Sequence, residues 1–360
     1  MRKSAPAAAR PEDDASWGDD EFLDDMISGL PDGGARRVNI IGKLKGTYVE
    51  CGRDAALAKT FNKFQETMFA REVLEGESEP RPGAPRVEGA VFFVTGESGA
   101  GKTSAVHHLL KQYPKLQPRK MAFGEVNPVI SISLSGKANL TVIGEEILSA
   151  AGYSTDRSIG PAKLWKMIPR QLHHRKVLLV HIDEIQHMVK MTEKDHDRKE
   201  AAEALKGAMN YRDWPISFLM SGKPESIRLA SLDEQIERRH AAAFLPSLSL
   251  PEQRVLIERM FVRLCSVAEI GVGSCLSGDL VERLSRSVNH RYGRVAKGVK
   301  SAIHEALHRD ASELALEDFA RAFLMKSHAR GHDEMNPFLI DDWERLPPGT
   351  FFIEEEEAGR

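Results

Sequence analysis

The amino-acid sequence predicts an α/β protein: a three-layer αβα core built on a parallel sheet, followed by an all-helical lid domain. Three observations predict it. Residues 91–110, VFFVTGESGAGKTSAVHHLL, run from an apolar stretch through a glycine-rich turn into a helix-like pattern. From Ala90 to Pro246, continuous apolar runs alternate with helical periodicity, as in a parallel sheet covered on both faces. After Pro246 only helical periodicity remains, with Val295, Val299, Ala302, Ile303, Ala306 and Leu307 in one stripe.

In chain order, residues 1–36 are rich in Ala, Pro, Asp and Gly and predict a disordered acidic segment. Its DDEFLDDMISGL is either an amphipathic turn for a partner or part of a solvated tail. Residues 37–89 are expected to be an N-terminal helical segment and linker. Leu57, Phe61, Phe64 and Met68 recur at helical spacing, and EGESEPRPGAPRVEG (75–89) is full of breakers. The core occupies 90–246. AVFFV is its first strand, and Val106, Leu109, Leu110 and Tyr113 line a helix that stops at Pro114. PVISISL (128–134) is a second strand, and LTVIGEEILSAAG (140–152) a helix ending at Gly152. KVLLVHID (176–183), PISFLMSG (215–222) and AAAFLP (241–246) are three further strands, with a helix in RKEAAEALKGAMN (198–210). Residues 247–330 form the helical lid domain. In the tail, 331–360, Phe338, Leu339 and Trp343 either dock a partner or pack back onto the chain's own helices.

Composition narrows the function classes. Apolar content of 41% with 29% charged residues fits a water-soluble globular chain of one large domain or two modest ones. The formal charge of −3 is uneven, with acids gathered in residues 11–25 and in the closing FFIEEEEAGR. No overall basic excess points to nucleic acid, so any such contact is local. Cys51, Cys265 and Cys275 form no C-x-x-C pair, and their odd number predicts reduced thiols of a cytoplasmic protein. No apolar run approaches the ~20 residues that span a bilayer. The opening MRKSAPAAARPEDD lacks the apolar stretch of a secretory signal. His107, His108, His173, His174, His181 and His187 lack zinc-site spacing and a cysteine partner, so no zinc is expected.

The chemistry concentrates in GESGAGKT, which fits G-x-x-x-x-G-K-[ST]. Across Gly96, Glu97, Ser98, Gly99, Ala100 and Gly101 the backbone can curl so that successive N–H groups face phosphate oxygens. The helix that starts at Lys102, Thr103 and Ser104 adds its positive end. Lys102 would reach the β- and γ-phosphates of ATP, and Thr103 would ligate Mg²⁺. In VLLVHIDEIQH, Asp183 would hold Mg²⁺ and Glu184 would polarise an attacking water. That pair favours a hydrolytic switch. A small-molecule phosphotransferase and a nucleotide-gated scaffold with a protein client are the rivals. Ser221, ending FLMSG, is placed to hydrogen-bond the γ-phosphate or the water, with Lys223 as a substitute. In LDEQIERRH, Arg239 or Arg238 would reach a neighbouring subunit's γ-phosphate, with Arg239 preferred. Arg294, after Gly293 at a helix start, would fold over the nucleotide, and Arg291 is its alternative.

Taken in order, these segments resemble an AAA+ ATPase: GESGAGKT as Walker A, VLLVHIDEIQH as Walker B, FLMSG as sensor 1, LDEQIERRH as the arginine-finger segment and YGRV as sensor 2. Within that superfamily the chain is similar to the TniB and TnsC-like transposition regulators, through GESGAGKT, IDEIQH and the run from Asp233 to Arg239. The likeness spans about residues 45–330. It implies an ATP-dependent regulator that forms a homo-oligomer or helical filament on double-stranded DNA and recruits or activates a transposase. A target-selector protein is a further implied partner. DNA would be held by its phosphates, with Lys137 and Thr141 as first candidates and Lys190, Lys194, Arg198 and Lys199 as others. The acidic N-terminal segment has no counterpart in the family pattern, and sensor 1 is Ser-Gly rather than Asn or Thr.

Overall fold

The computed structural model describes residues 15–122, 124–136, 138–153, 159–192, 195–327 and 333–352. The elements are α1 (Ala15–Ser28), α2 (Gly34–Gly46), α3 (Gly52–Phe69), β1 (Val91–Thr95), α4 (Lys102–Lys111), β2 (Arg119–Met121), β3 (Gly124–Val126) and β4 (Val129–Ser133). There follow α5 (Leu140–Ala150), α6 (Pro161–His174), β5 (Leu179–Asp183), α7 (Gln186–Met191), α8 (Asp195–Met209), β6 (Ser217–Gly222), α9 (Glu234–Arg238) and β7 (His240–Phe244). The last four helices are α10 (Arg254–Ala268), α11 (Leu280–Ser287), α12 (Tyr292–His308) and α13 (Leu316–Lys326).

The chain divides into two compact units. One comprises residues 50–251 and 290–295; the other comprises the described residues of 1–49, 252–289 and 296–360. The first holds a five-stranded sheet in the order β4-β5-β6-β1-β7, parallel at every pairing. β1, β5 and β6 are buried along their whole length, which is why their sequences read as mostly apolar runs rather than alternating ones. On one face Ile130, Ile182, Phe218 and Met220 pack with Ile143, Ile147, Leu164, Ile168 and Leu205. Elsewhere Phe92 of β1 meets Phe61 and Phe64 of α3 at ring separations of 5.6 and 5.4 Å. Register aligns the strand ends: Thr95 lies beside Gly222 and Phe244, and Asp183 beside Ser133. The loops after β1, β5 and β6 therefore open on one edge, the carboxyl edge where ligands of open α/β sheets bind.

The second unit is helical. Phe261, Phe319, Phe323, Phe338 and Phe351 are buried together, with Phe338 5.6 Å from Phe319 and 5.8 Å from Phe351. Trp343 donates from Nε1 to Asp279 Oδ2 at 2.9 Å, and Arg283 donates to the Pro337 carbonyl at 2.7 Å. Of the two readings of the tail, packing on the chain's own helices holds for Phe338 and Trp343, because both side chains are spent on that core. Leu339 remains 51% exposed.

Three expectations need correction. Residues 15–36 are not disordered: they contain α1 and the start of α2, whose Ile40 and Leu44 are buried. Composition alone concealed this, because the apolar residues are sparse and surrounded by acids. The unit boundaries also differ from the expected 37–89, 90–246, 247–330 and 331–360. α3 belongs with the sheet, whereas α2 and residues 333–352 belong with the helical unit. Finally, the β2–β3 hairpin and α6 were not foreseen in the Pro- and Gly-punctuated stretches around them. Residues 1–14, 353–360, Lys137 and Lys194 lie outside the described residues. Among the described residues no helix is long and apolar enough to cross a membrane.

Candidate functional site

The loop after β1 takes its shape from glycine. Gly99 and Gly101 sit at φ +76° and +84°, the left-handed region that side chains with a Cβ disfavour. A Cβ on Gly293, at the start of α12, would lie 2.7 Å from the Gly99 carbonyl and 2.9 Å from Gly101 Cα, so only glycine allows this approach. The backbone N–H of Arg294 donates to the Gly99 carbonyl at 3.2 Å. The Arg294 side chain is 8% exposed and lies along the loop: a Cβ on Gly99 would meet its Cγ and Nε at 2.6 Å. Gly293 and Arg294 of YGRV thus lie directly against the loop after β1. Arg291, its alternative, is tied to Ser247 Oγ at 2.6 Å and lies 3.7 Å from Glu97.

Lys102, 7% exposed, donates from Nζ to the carbonyls of Gly96 and Glu97 at 2.9 and 3.2 Å. Burial holds its ammonium below the ordinary lysine range, opposed by the charges of Glu184, Asp183 and Glu97. Thr103 Oγ1 donates to Asp183 Oδ2 at 2.6 Å. Asp183 Oδ1 accepts from the Glu184 backbone N–H at 2.9 Å and from Ser221 Oγ at 2.5 Å. Burial alone would raise the Asp183 carboxyl, but the hydrogen bonds from Ser221 and Thr103 leave it net lowered, hence ionised. Glu184 itself occupies φ +55°, uncommon for a residue with a side chain, and such positions cluster at functional sites.

Ser221 corrects the expectation placed on it. It is wholly buried, and its one proton goes to Asp183, so it positions that carboxylate rather than meeting a phosphate or water. Because Ser221 donates to Asp183, its oxygen must accept from His181, whose Nε2 lies 2.9 Å away. Nδ1 of His181 then accepts from Ser131 Oγ at 3.2 Å. A directed chain thus runs across β4, β5 and β6 into Asp183. Burial drives the His181 imidazole down to about 4 despite the nearby Asp183 charge. It is neutral when folded and protonates near 6.5 when unfolded. Its contribution to stability is complete above pH 6.5 and drains as pH falls toward 4, by roughly 3 kcal/mol. Thermal melts from pH 7.5 to 4.5 are expected to fall less steeply for His181→Gln than for the wild type; parallel slopes would contradict the assignment.

Arg238 and Arg239 separate cleanly. Arg239 pairs with Glu88 at 2.7 Å and donates to Asn210 Oδ1 at 2.5 Å, with its side chain 18% exposed. Arg238, with its side chain 77% exposed, has among the described residues only the i,i+4 contact to Glu234 at 3.2 Å. The preference for Arg239 is therefore reversed, because its guanidinium is held within its own subunit. Of the DNA candidates, Thr141 stands in the first turn of α5 behind the Asn139 cap. Lys190 is in α7, with its side chain beyond the described atoms. Arg198 is bonded to the Ser231 carbonyl at 2.8 Å, and Lys199 is exposed.

Arg53 was missed. It donates to the Ala100 carbonyl at 2.8 Å and lies 3.8 Å above the Tyr292 ring. Its Nε and Nη2 are buried with no hydrogen-bond partner among the described residues. In sequence only Gly52-Arg53-Asp54 at a helix start marks it, where a charge reads as solvated. With Lys102, it gives the loop buried cationic donors that, among the described residues, hydrogen-bond to carbonyls or to nothing. That surplus fits a polyanionic, oxygen-rich group such as a triphosphate. The Thr103 hydroxyl and Asp183 carboxylate supply the oxygen ligands that suit Mg²⁺. Chemically, the site can bind a phosphate chain and offer Glu184 as a base beside it.

Comparison with known proteins agrees with this architecture. The family model described as "Bacterial TniB protein" matches residues 60–250. The ORC2 protein of Aeropyrum pernix (ADPNP–ADP complexes) is similar in fold, with TM-score 0.50 and 14% identity over 81% of this chain and 73% of that one. Cdc6p of Pyrobaculum aerophilum gives TM-score 0.49 and 11% identity over 78% and 69%. Drosophila ORC bound to DNA gives 0.47 and 10% over 89% and 68%. No curated protein sequence matches the chain. The chain shares the AAA+ fold with that ORC2 protein.

Proposed function

The chain belongs to the TniB family, and from that premise we propose that it is an ATP-dependent regulator of DNA transposition. On this reading it binds and hydrolyses ATP, assembles as a homo-oligomer or helical filament on double-stranded DNA, and recruits or activates a transposase at the target site. One observation carries the enzymatic half: Lys102, Thr103, Asp183 and Glu184 converge at the carboxyl edge of β1 and β5, with Thr103 and Asp183 already bonded at 2.6 Å.

In this mechanism Lys102 exchanges the Gly96 and Glu97 carbonyls for phosphate oxygens, and the loop N–H groups from Gly96 to Ser104 share the remaining charge. Arg53 and Arg294 add donors from either flank. Thr103 and Asp183 would hold Mg²⁺, which would supply positive charge against the phosphates. Glu184 accepts a proton from the attacking water, while Ser221 and His181 keep Asp183 oriented. Arg238 reaches the site of an adjacent copy, so occupancy of the site governs assembly. Thr141, Lys190 and Lys137 contact DNA phosphates.

The test compares ATP hydrolysis with and without duplex DNA and inspects the protein on DNA with a non-hydrolysable ATP analogue. DNA-stimulated turnover and filaments are expected; a protein that stays monomeric with nucleotide and DNA present overturns the reading. A small-molecule phosphotransferase would ignore DNA and respond to an acceptor. The two arginines give a sharper result. Arg238→Ala is expected to leave the melting temperature unchanged and remove about tenfold or more of the DNA-stimulated rate. Arg239→Ala, which breaks the tie to Glu88 and Asn210, is expected to lower stability by about 1 kcal/mol or more. The opposite pattern would return the finger role to Arg239.

A further inference from the structure

Gln186 lies two residues past Glu184, at the start of α7, and is 7% exposed. Both ends of its carboxamide are engaged. Nε2 donates to Glu184 Oε2, and Oε1 accepts from the Lys223 backbone N–H at 3.3 Å. The orientation is set by chemistry: a backbone N–H can only donate, so the carboxamide oxygen must face Lys223 and the amide nitrogen must face Glu184. A Cβ on Gly222 would lie 2.9 Å from Oε1, so the end of β6 closes directly over this side chain. Gln186 therefore ties the Glu184 carboxylate to the end of the strand that carries Ser221.

The Glu184 carboxylate needs such a tie. Its backbone is left-handed at φ +55°, and the side chain leaves from a conformation that local rotamer preferences do not stabilise. Its negative charge favours the charged form of the Lys102 ammonium, against the effect of burial. Without a partner it would be drawn to Lys102. Holding Oε2 leaves Oε1 for a water.

We propose that Gln186 is a positioning residue for hydrolysis: by holding Oε2 of Glu184 against the end of β6, it keeps the second carboxylate oxygen directed at the water and away from Lys102. This rests on Glu184 being the base in the proposed function. It adds a route by which a shift of β6, where Ser221 holds Asp183, also moves the base.

Two variants test it. Gln186→Leu removes both hydrogen bonds. Gln186→Glu retains an acceptor for the Lys223 N–H but replaces the donor to Glu184 with a second carboxylate. Both are expected to lower kcat at least about tenfold, with the KM for ATP and the Kd for a non-hydrolysable analogue within about twofold of wild type. A role confined to bracing β6 would leave Gln186→Glu at the wild-type rate and would overturn the proposal. So would a parallel loss of nucleotide binding in both. A second readout is independent of turnover. In the nucleotide-free protein the Gln186 side-chain amide protons, followed by ¹⁵N-resolved NMR, are expected to exchange slowly and to speed up about tenfold or more in Glu184→Ala. Exchange unchanged by Glu184→Ala would show that the bond is not made. Failure of the underlying reading looks different: wild type and Glu184→Gln would hydrolyse ATP equally, whatever the exchange rates.

Discussion

Lys102→Ala is expected to raise the Kd for ATP at least about a hundredfold, as read by titration with a fluorescent analogue. The magnitude follows from what the ammonium does. It is 7% exposed, and among the described residues its hydrogen-bond partners are the carbonyls of Gly96 and Glu97. Exchanging those neutral acceptors for two anionic phosphate oxygens replaces ion–dipole hydrogen bonds with ion–ion ones. Two such bonds together are worth about 3 kcal/mol, or a factor of about 100. Burial already holds the Lys102 ammonium below its ordinary range, so binding a polyanion should raise it again and reinforce the charged form. The same substitution leaves two loop carbonyls without their donor, and a modest loss of thermal stability, about 1 kcal/mol, should accompany it. Wild-type affinity in Lys102→Ala would mean that the loop is a structural turn and that the nucleotide site lies elsewhere.

That loop was legible because its physics is local. A buried strand, a turn that needs left-handed residues and a helix start follow each other within twenty-odd residues, and Gly99 and Gly101 adopt the φ values their places require. Asp183 and Glu184 were readable as a pair for the same local reason, because they follow the buried stretch LVHI at the end of β5; the loop before them is what favoured a site over two solvated acids. What the sequence concealed depends on distant partners. Arg53 reaches the loop from 47 residues upstream. Ser221 looked like a group facing the site, but its hydroxyl is claimed by Asp183 and His181, 38 and 40 residues away, which no spacing rule reveals. Arg238 and Arg239 are adjacent and chemically identical. Only Glu88 and Asn210, brought up by the fold, distinguish the held one from the exposed one. The acidic α1 and the hairpin of β2 and β3 escaped because composition and breakers outweighed their short periodic signals.

Glu184→Gln is expected to separate binding from turnover: ATP affinity within about twofold of wild type, and kcat lower by about 10³, within the 10²–10⁴ range attributed to a positioned general base. The geometry explains why the loss should be so selective. A glutamine at 184 can still accept from Gln186 Nε2 through its amide oxygen, and the backbone N–H that supports Asp183 Oδ1 is untouched. Thr103, Asp183 and Lys102 keep their partners, so the groups that hold phosphate and Mg²⁺ should stay in place. Only the negative charge that would take a proton from water is gone. With hydrolysis blocked and binding intact, assemblies formed on DNA with ATP should persist where wild-type assemblies decay, a difference measurable by light scattering over time. Arg238→Ala in the same background should dissolve them, because the contact that links one copy's nucleotide to the next would be missing. Loss of binding in Glu184→Gln to the extent seen for Lys102→Ala would show that the glutamate helps to hold the triphosphate, and the division of labour between the two residues would fall.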